Sequence, residues 1–144
     1  MVTLLPLRSA SSSTRQDAQQ HSILVVEDEP DLRDLLCMVL AEEHPTLRIV
    51  GAGTSQRALE EAAHSRPILM LLDYRLYGSH LNGIELFDML HADPGAKPIP
   101  TTIMISVNPP PEGELQARGI IRMPEPFDLD ALLVLVAAEL RVIT

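Results

Sequence analysis

The feature that most constrains this chain is a repeated pairing. Short apolar runs, several rich in β-branched residues, alternate with longer stretches of helical spacing. The runs are "SILVV" at 22–26, "LRIVGA" at 47–52, "PILMLLD" at 67–73, "TTIMISV" at 101–107 and a brief "IIRM" at 120–123. Runs apolar along their whole length, rather than at every second residue, suit strands buried on both faces. Between the first two, "PDLRDLLCMVLAEEH" places apolar residues at 32, 35, 36, 39 and 40, which is one face of a helix, with Pro30 in its first turn. "TSQRALEEAAHSR" predicts a second helix with Thr54 as its N-cap, "NGIELFDMLHAD" a third with Asn82 before it, and "DLDALLVLVAAELRVI" a last one capped by Asp128. Strands alternating with helices of this length form βαβ units, and right-handed crossovers wind them into a parallel sheet covered on both sides. The expected fold is α/β: a doubly wound, flavodoxin-like sheet of five parallel strands in the order 2-1-3-4-5. The fourth helix is shortened, because "VNPPPEGELQARG" carries three consecutive prolines and leaves room for a helix only near 112–118.

A chain of 144 residues fits one such domain, and aromatics at 3% leave the core to aliphatic side chains. Residues 1–21, rich in Ser and Gln, read as a flexible tail ahead of a domain at 22–144. The apolar piece "LLPL" is too short for a signal-peptide core, and no run approaches the roughly 20 residues needed to cross a bilayer. No membrane association and a cytoplasmic location are therefore expected. A net charge of −9 argues against nucleic acid as a direct partner and favours cations. The single cysteine, Cys37, excludes an internal disulfide and reads as a core thiol, and Met70, Met89, Met104 and Met123 read as core filler. His21, His44, His64, His80 and His91 are scattered without ligand spacing and are expected at the surface.

Ligands of doubly wound sheets bind beyond the carboxyl ends of the strands, where the winding reverses. The first strand ends in Glu27 and Asp28, the third in Asp73 and the fourth in Ser106. Strands 1 and 3 are neighbours in the expected order, so three carboxylates converge there beside a hydroxyl. Hard oxygen donors of this kind suit Mg²⁺, which takes one or two carboxylates and keeps several waters.

The motifs "ILVVEDEPDLRDLL", "LLDYRLYGSHLNGIEL", "IMIS" and "EPFDLDALL" together resemble the receiver domain of two-component response regulators, across about residues 22–142. The resemblance implies that Asp73 accepts a phosphoryl group from a phosphohistidine and that Ser106 hydrogen-bonds that group. It implies that Mg²⁺ is held by Asp28 and Asp73, by Glu27 through water, and by the backbone carbonyl of Arg75. It implies a sensor histidine kinase or phosphotransfer protein as donor, an output protein as recipient, and self-catalysed phosphoryl transfer rather than enzymatic turnover.

The pattern departs from the family at several positions. The usual Lys after the fifth strand is replaced by Glu125, within "RMPEPF". At about 4 Å and an effective dielectric near 20, a unit charge is worth roughly 4 kcal/mol, and this exchange reverses its sign. The only Lys, Lys97, is expected at the far end of the sheet, which leaves Arg75 and Arg122 as nearer cations. Arg122 also takes the place of the family's aromatic switch residue, and Tyr77 stands where a Pro is common. "ALLVLVAA" at 131–138 is apolar all round, which predicts a second buried surface on the last helix and a partner or homodimer there. The expectation is a stand-alone receiver accepting phosphate on Asp73. The alternatives are a pseudo-receiver that acts only as an interaction module and a metal-dependent phosphohydrolase. The last is disfavoured because Arg75 occupies the place of that class's second Asp.

Overall fold

A computed structural model of the chain describes residues 20–92, 97–123 and 128–143. Five strands, β1 (Ser22–Val26), β2 (Arg48–Ala52), β3 (Pro67–Leu72), β4 (Thr101–Met104) and β5 (Ile121–Arg122), form one parallel sheet in the order β2-β1-β3-β4-β5. This is the expected order. The helices are α1 (Pro30–Glu43), α2 (Ser55–Ser65), α3 (Gly83–Ala92), α4 (Glu112–Arg118) and α5 (Leu129–Ile143). The short α4 follows from the prolines before it, and Gly119, at φ 69°, ends it in the left-handed conformation that favours glycine.

Alternate residues of the central strands feed two separate cores. Leu24, Val26, Met70 and Leu72 face Ala58 of α2, Ile84 and Leu86 of α3, and Leu115 of α4. Ile23, Val25, Leu69 and Leu71 face Leu36 and Leu40 of α1 and Leu132, Val136 and Leu140 of α5. β1 and β3 are buried along their whole length, and therefore their sequences are apolar rather than alternating.

The expected caps are present. Thr54 Oγ1 accepts from the Arg57 N–H at 3.1 Å, and Asp128 Oδ1 accepts from the Asp130 N–H at 3.0 Å. Asn82 and Glu85 form a reciprocal capping box, each side chain accepting from the other's backbone N–H at 2.9 Å. Two expectations fail. Met89 is 49% exposed rather than core, because α3 buries only the stripe of Gly83, Ile84 and Leu86. His91 is not a free surface residue. Its ring stacks on Phe87 with centroids 4.0 Å apart, and its two nitrogens meet the Phe87 carbonyl at 2.8 Å and the Ile99 backbone at 3.3 Å. Cys37 is half-buried, and burial pushes its thiol pKa up, with Asp34 adding to the effect. The tail expected at 1–21 falls outside the described residues except for Gln20 and His21. Of these, Gln20 Nε2 donates to the Thr46 carbonyl and the His21 carbonyl accepts from the Arg48 N–H. No helix among the described residues is long and apolar enough to cross a membrane.

Candidate functional site: an acidic cluster at the carboxyl ends of β1 and β3

The parallel ladder runs one residue past each central strand. The Glu27 N–H donates to the Ala52 carbonyl, the Asp73 N–H to the Val26 carbonyl and the Ile105 N–H to the Leu72 carbonyl, each at 3.0 Å. Backbone pairing therefore fixes where Glu27 and Asp73 leave the sheet, and it brings Ser106 alongside. One carboxylate oxygen from each of Glu27, Asp28 and Asp73 lies within 4.8 Å of the others. Glu27 is 4% exposed, and its Oε2 has no hydrogen-bond partner among the described residues. Asp28 and Asp73 are half-buried, and the half-buried Ser106 is near enough to Asp73 to favour its charged form.

Such an arrangement is costly without compensation. Burial pushes the Glu27 pKa up to about 9, helped by Asp73 and Asp28 beside it. Burial and the Asp28 charge raise Asp73 as well, against the lowering effect of hydrogen bonds from Glu27, Ser106 and the Tyr74 backbone. In the metal-free protein a proton is the simplest compensation. Three hard oxygen donors with an orphaned buried Oε2 also fit a divalent cation, and the donor set suits Mg²⁺.

Two loop features shape the cluster. Asp28 Oδ2 accepts from the Tyr77 N–H at 3.1 Å, a bond that a Pro at that position would lack. Gly83 donates to the Tyr74 carbonyl at 2.6 Å, and a Cβ there would meet the Asp73 carbonyl oxygen at 2.5 Å. Glycine is thus required for α3 to start so close under Asp73.

Sequence reasoning missed Arg33. Its Nη1 donates to the Glu27 carbonyl at 2.9 Å, and its side chain lies over Gly51 and Gly53, where a Cβ would meet it at 3.4 and 2.6 Å. The "GAG" at 51–53 was the available signal, since two glycines flanking Ala52 make room for a long side chain from α1. The two cations considered as substitutes for the missing Lys point elsewhere. The exposed Arg75 guanidinium sits 5.8 Å from the Tyr74 ring centroid, and Arg122 is exposed and pairs with Glu112 at 3.8 Å. Lys97 lies at the opposite end of the sheet, as expected. Glu125 falls outside the described residues.

Residues 23–117 match the family model for the response regulator receiver domain. This chain belongs to that family. It is 37% identical over 118 residues to the nitrogen assimilation regulatory protein NtrX of Azorhizobium caulinodans, covering 80% of this chain and 25% of that protein. The chain thus spans about a quarter of that relative's length. The receiver domain of NtrX from Brucella abortus superposes with a TM-score of 0.66 at 30% identity, covering 83% of this chain and 98% of that one. A CheY-like receiver domain protein from Methanospirillum hungatei shares the fold, with a TM-score of 0.72 at 22% identity over 87% of this chain and 97% of that one. Receiver domains are two-component signalling modules rather than turnover enzymes.

Proposed function

We propose that this receiver accepts a phosphoryl group on Asp73 with Mg²⁺ held by Asp28, Asp73, the Arg75 carbonyl and, through water, Glu27. The carrying observation is the convergence of the three carboxylates within 4.8 Å at the ends of β1 and β3. An Asp73 oxygen attacks phosphorus as the N–P bond of a phosphohistidine breaks, and the imidazole leaves with the bond's electron pair. When bound, the cation supplies positive charge beside the transferring oxygens. Ser106 sits to donate its hydroxyl to the new phosphoryl group. Asp28 is held in place by the Tyr77 N–H, and Glu27 by Arg33 through its backbone. The donor is a sensor histidine kinase or phosphotransfer protein. Output leaves by protein contacts, for which the outer side of α5, with Val134 68% and Val142 82% exposed, is the proposed surface, whether for an output protein or a second copy.

Incubation with Mg²⁺ and acetyl phosphate or phosphoramidate, followed by intact-protein mass measurement, tests this reading. A phosphoryl mass gain that disappears in Asp73→Asn is expected. No gain from either small donor or from a phosphohistidine donor, with the protein folded, would make the chain a pseudo-receiver.

A further inference from the structure

At the end of the sheet away from the acidic cluster, a cleft of about 630 Å³ opens beside the amino ends of β2 and β3. Its lining includes Arg48, Arg66, Lys97, His21 and His64, contributed by four separate segments of the chain. No carboxylate is among its lining residues. That is unusual for a chain carrying 20 acidic and 11 basic residues. Elsewhere, Arg57 pairs with Glu60 and Glu61, Arg118 with Asp88, and Arg122 with Glu112, and Arg33 donates to the Glu27 carbonyl, while the exposed Arg75 and Arg141 are unpaired among the described residues but stand singly. The side chains of Arg48, Arg66 and Lys97 have no ion pair or hydrogen bond among the described residues. Arg66 is also the one non-glycine with positive φ among the described residues, at 47°, where it ends α2. A bulky residue in that conformation is uncommon, and Gly or Asn would fit it with less strain.

We infer that this cleft is a binding site for a small oligoanion, a ligand carrying two or more phosphate or carboxylate groups. The volume lies in the range of small-molecule sites. Three unpaired cations on separate segments suit clustered negative charges better than a single one, and two imidazoles add ring donors at the edge. The inference does not depend on phosphorylation of Asp73. An acidic peptide would offer the same charges on an extended backbone. A concave cleft walled by the α2–β3 turn and the Lys97–Pro98 segment favours the compact ligand.

The test uses the full chain in EDTA at physiological ionic strength, titrated calorimetrically with tripolyphosphate. Saturable binding at one site is expected, with amide chemical-shift changes at 64–66 and 68 and none around Asp73. Arg66→Asn with Lys97→Gln should weaken binding about a hundredfold, on the order of tenfold for each lost charge-assisted contact. Arg141→Gln, which removes an exposed charge on α5, should leave it unchanged. Absence of saturable binding, an equal loss in Arg141→Gln, or shifts spread over the whole surface would overturn the proposal. Tighter binding of an Asp/Glu peptide of matched charge would overturn the choice of a compact ligand.

Discussion

Glu27→Gln isolates the electrostatic cost of the acidic cluster. The folded-state pKa of Glu27 is raised from its ordinary 4.5 to about 9, chiefly by burial. Between those values the native state holds a proton that the unfolded chain has released. Stability from this group is therefore complete below about pH 4.5 and is lost as pH rises toward 9. Each pH unit inside the window removes about 1.4 kcal/mol, so roughly 3 kcal/mol disappears between about pH 5 and 7.5. Glutamine keeps the shape and cannot ionise. In EDTA, the melting temperature of Glu27→Gln minus that of the wild type should widen by roughly 10 °C over that pH range, at ~3–4 °C per kcal/mol for a domain of this size. Asp73 titrates in the same sense and Asp88, lowered by Arg118, in the opposite one. Asp88 is common to the two proteins and cancels, whereas Asp73 touches Glu27, so the difference reports the Glu27–Asp73 pair. Saturating Mg²⁺ should raise the wild-type melting temperature and close most of the gap, because a cation replaces the proton. A gap equal at both pH values would refute the reasoning, since Glu27 would then not hold a proton in the folded state.

Gly83→Ala should destabilise the fold by about 1–3 kcal/mol in urea unfolding and slow phosphoryl uptake, since the new methyl must push the Asp73 backbone from 2.5 Å contact. Asn82→Ala removes one half of the capping box and should cost about 1 kcal/mol in the same assay, leaving Mg²⁺ affinity intact.

The sheet order was legible because β1 and β3 are apolar along their whole length, a pattern that only a strand buried on both faces needs. Three prolines made the short α4 legible, and residue chemistry made the caps of α2, α3 and α5 so. Once the order of strands was clear, the convergence of Glu27, Asp28 and Asp73 followed from topology alone. The remainder depends on side-chain paths that local pattern does not encode. Arg33 reaches Glu27 six positions back by crossing glycines in the neighbouring strand. His91 gained its place by stacking on Phe87 and meeting Ile99 across a chain reversal. The all-apolar stretch of α5 divides in the fold: Leu132, Val136 and Leu140 form the inner stripe, Leu133 and Leu135 its flanks, and Val134 faces outward.

Two clusters of opposite chemistry stand at opposite ends of the sheet. Glu27, Asp28 and Asp73 gather at the carboxyl ends of the strands, and Arg48, Arg66 and Lys97 gather near the amino ends. Six residues of β3 separate them, a span of about 20 Å at the usual rise of a strand. That distance exceeds the screening length of physiological salt, so the charges of one cluster are scarcely felt at the other. The body of the sheet thus insulates the two clusters, and a charge gained or lost in one leaves the field at the other nearly unchanged.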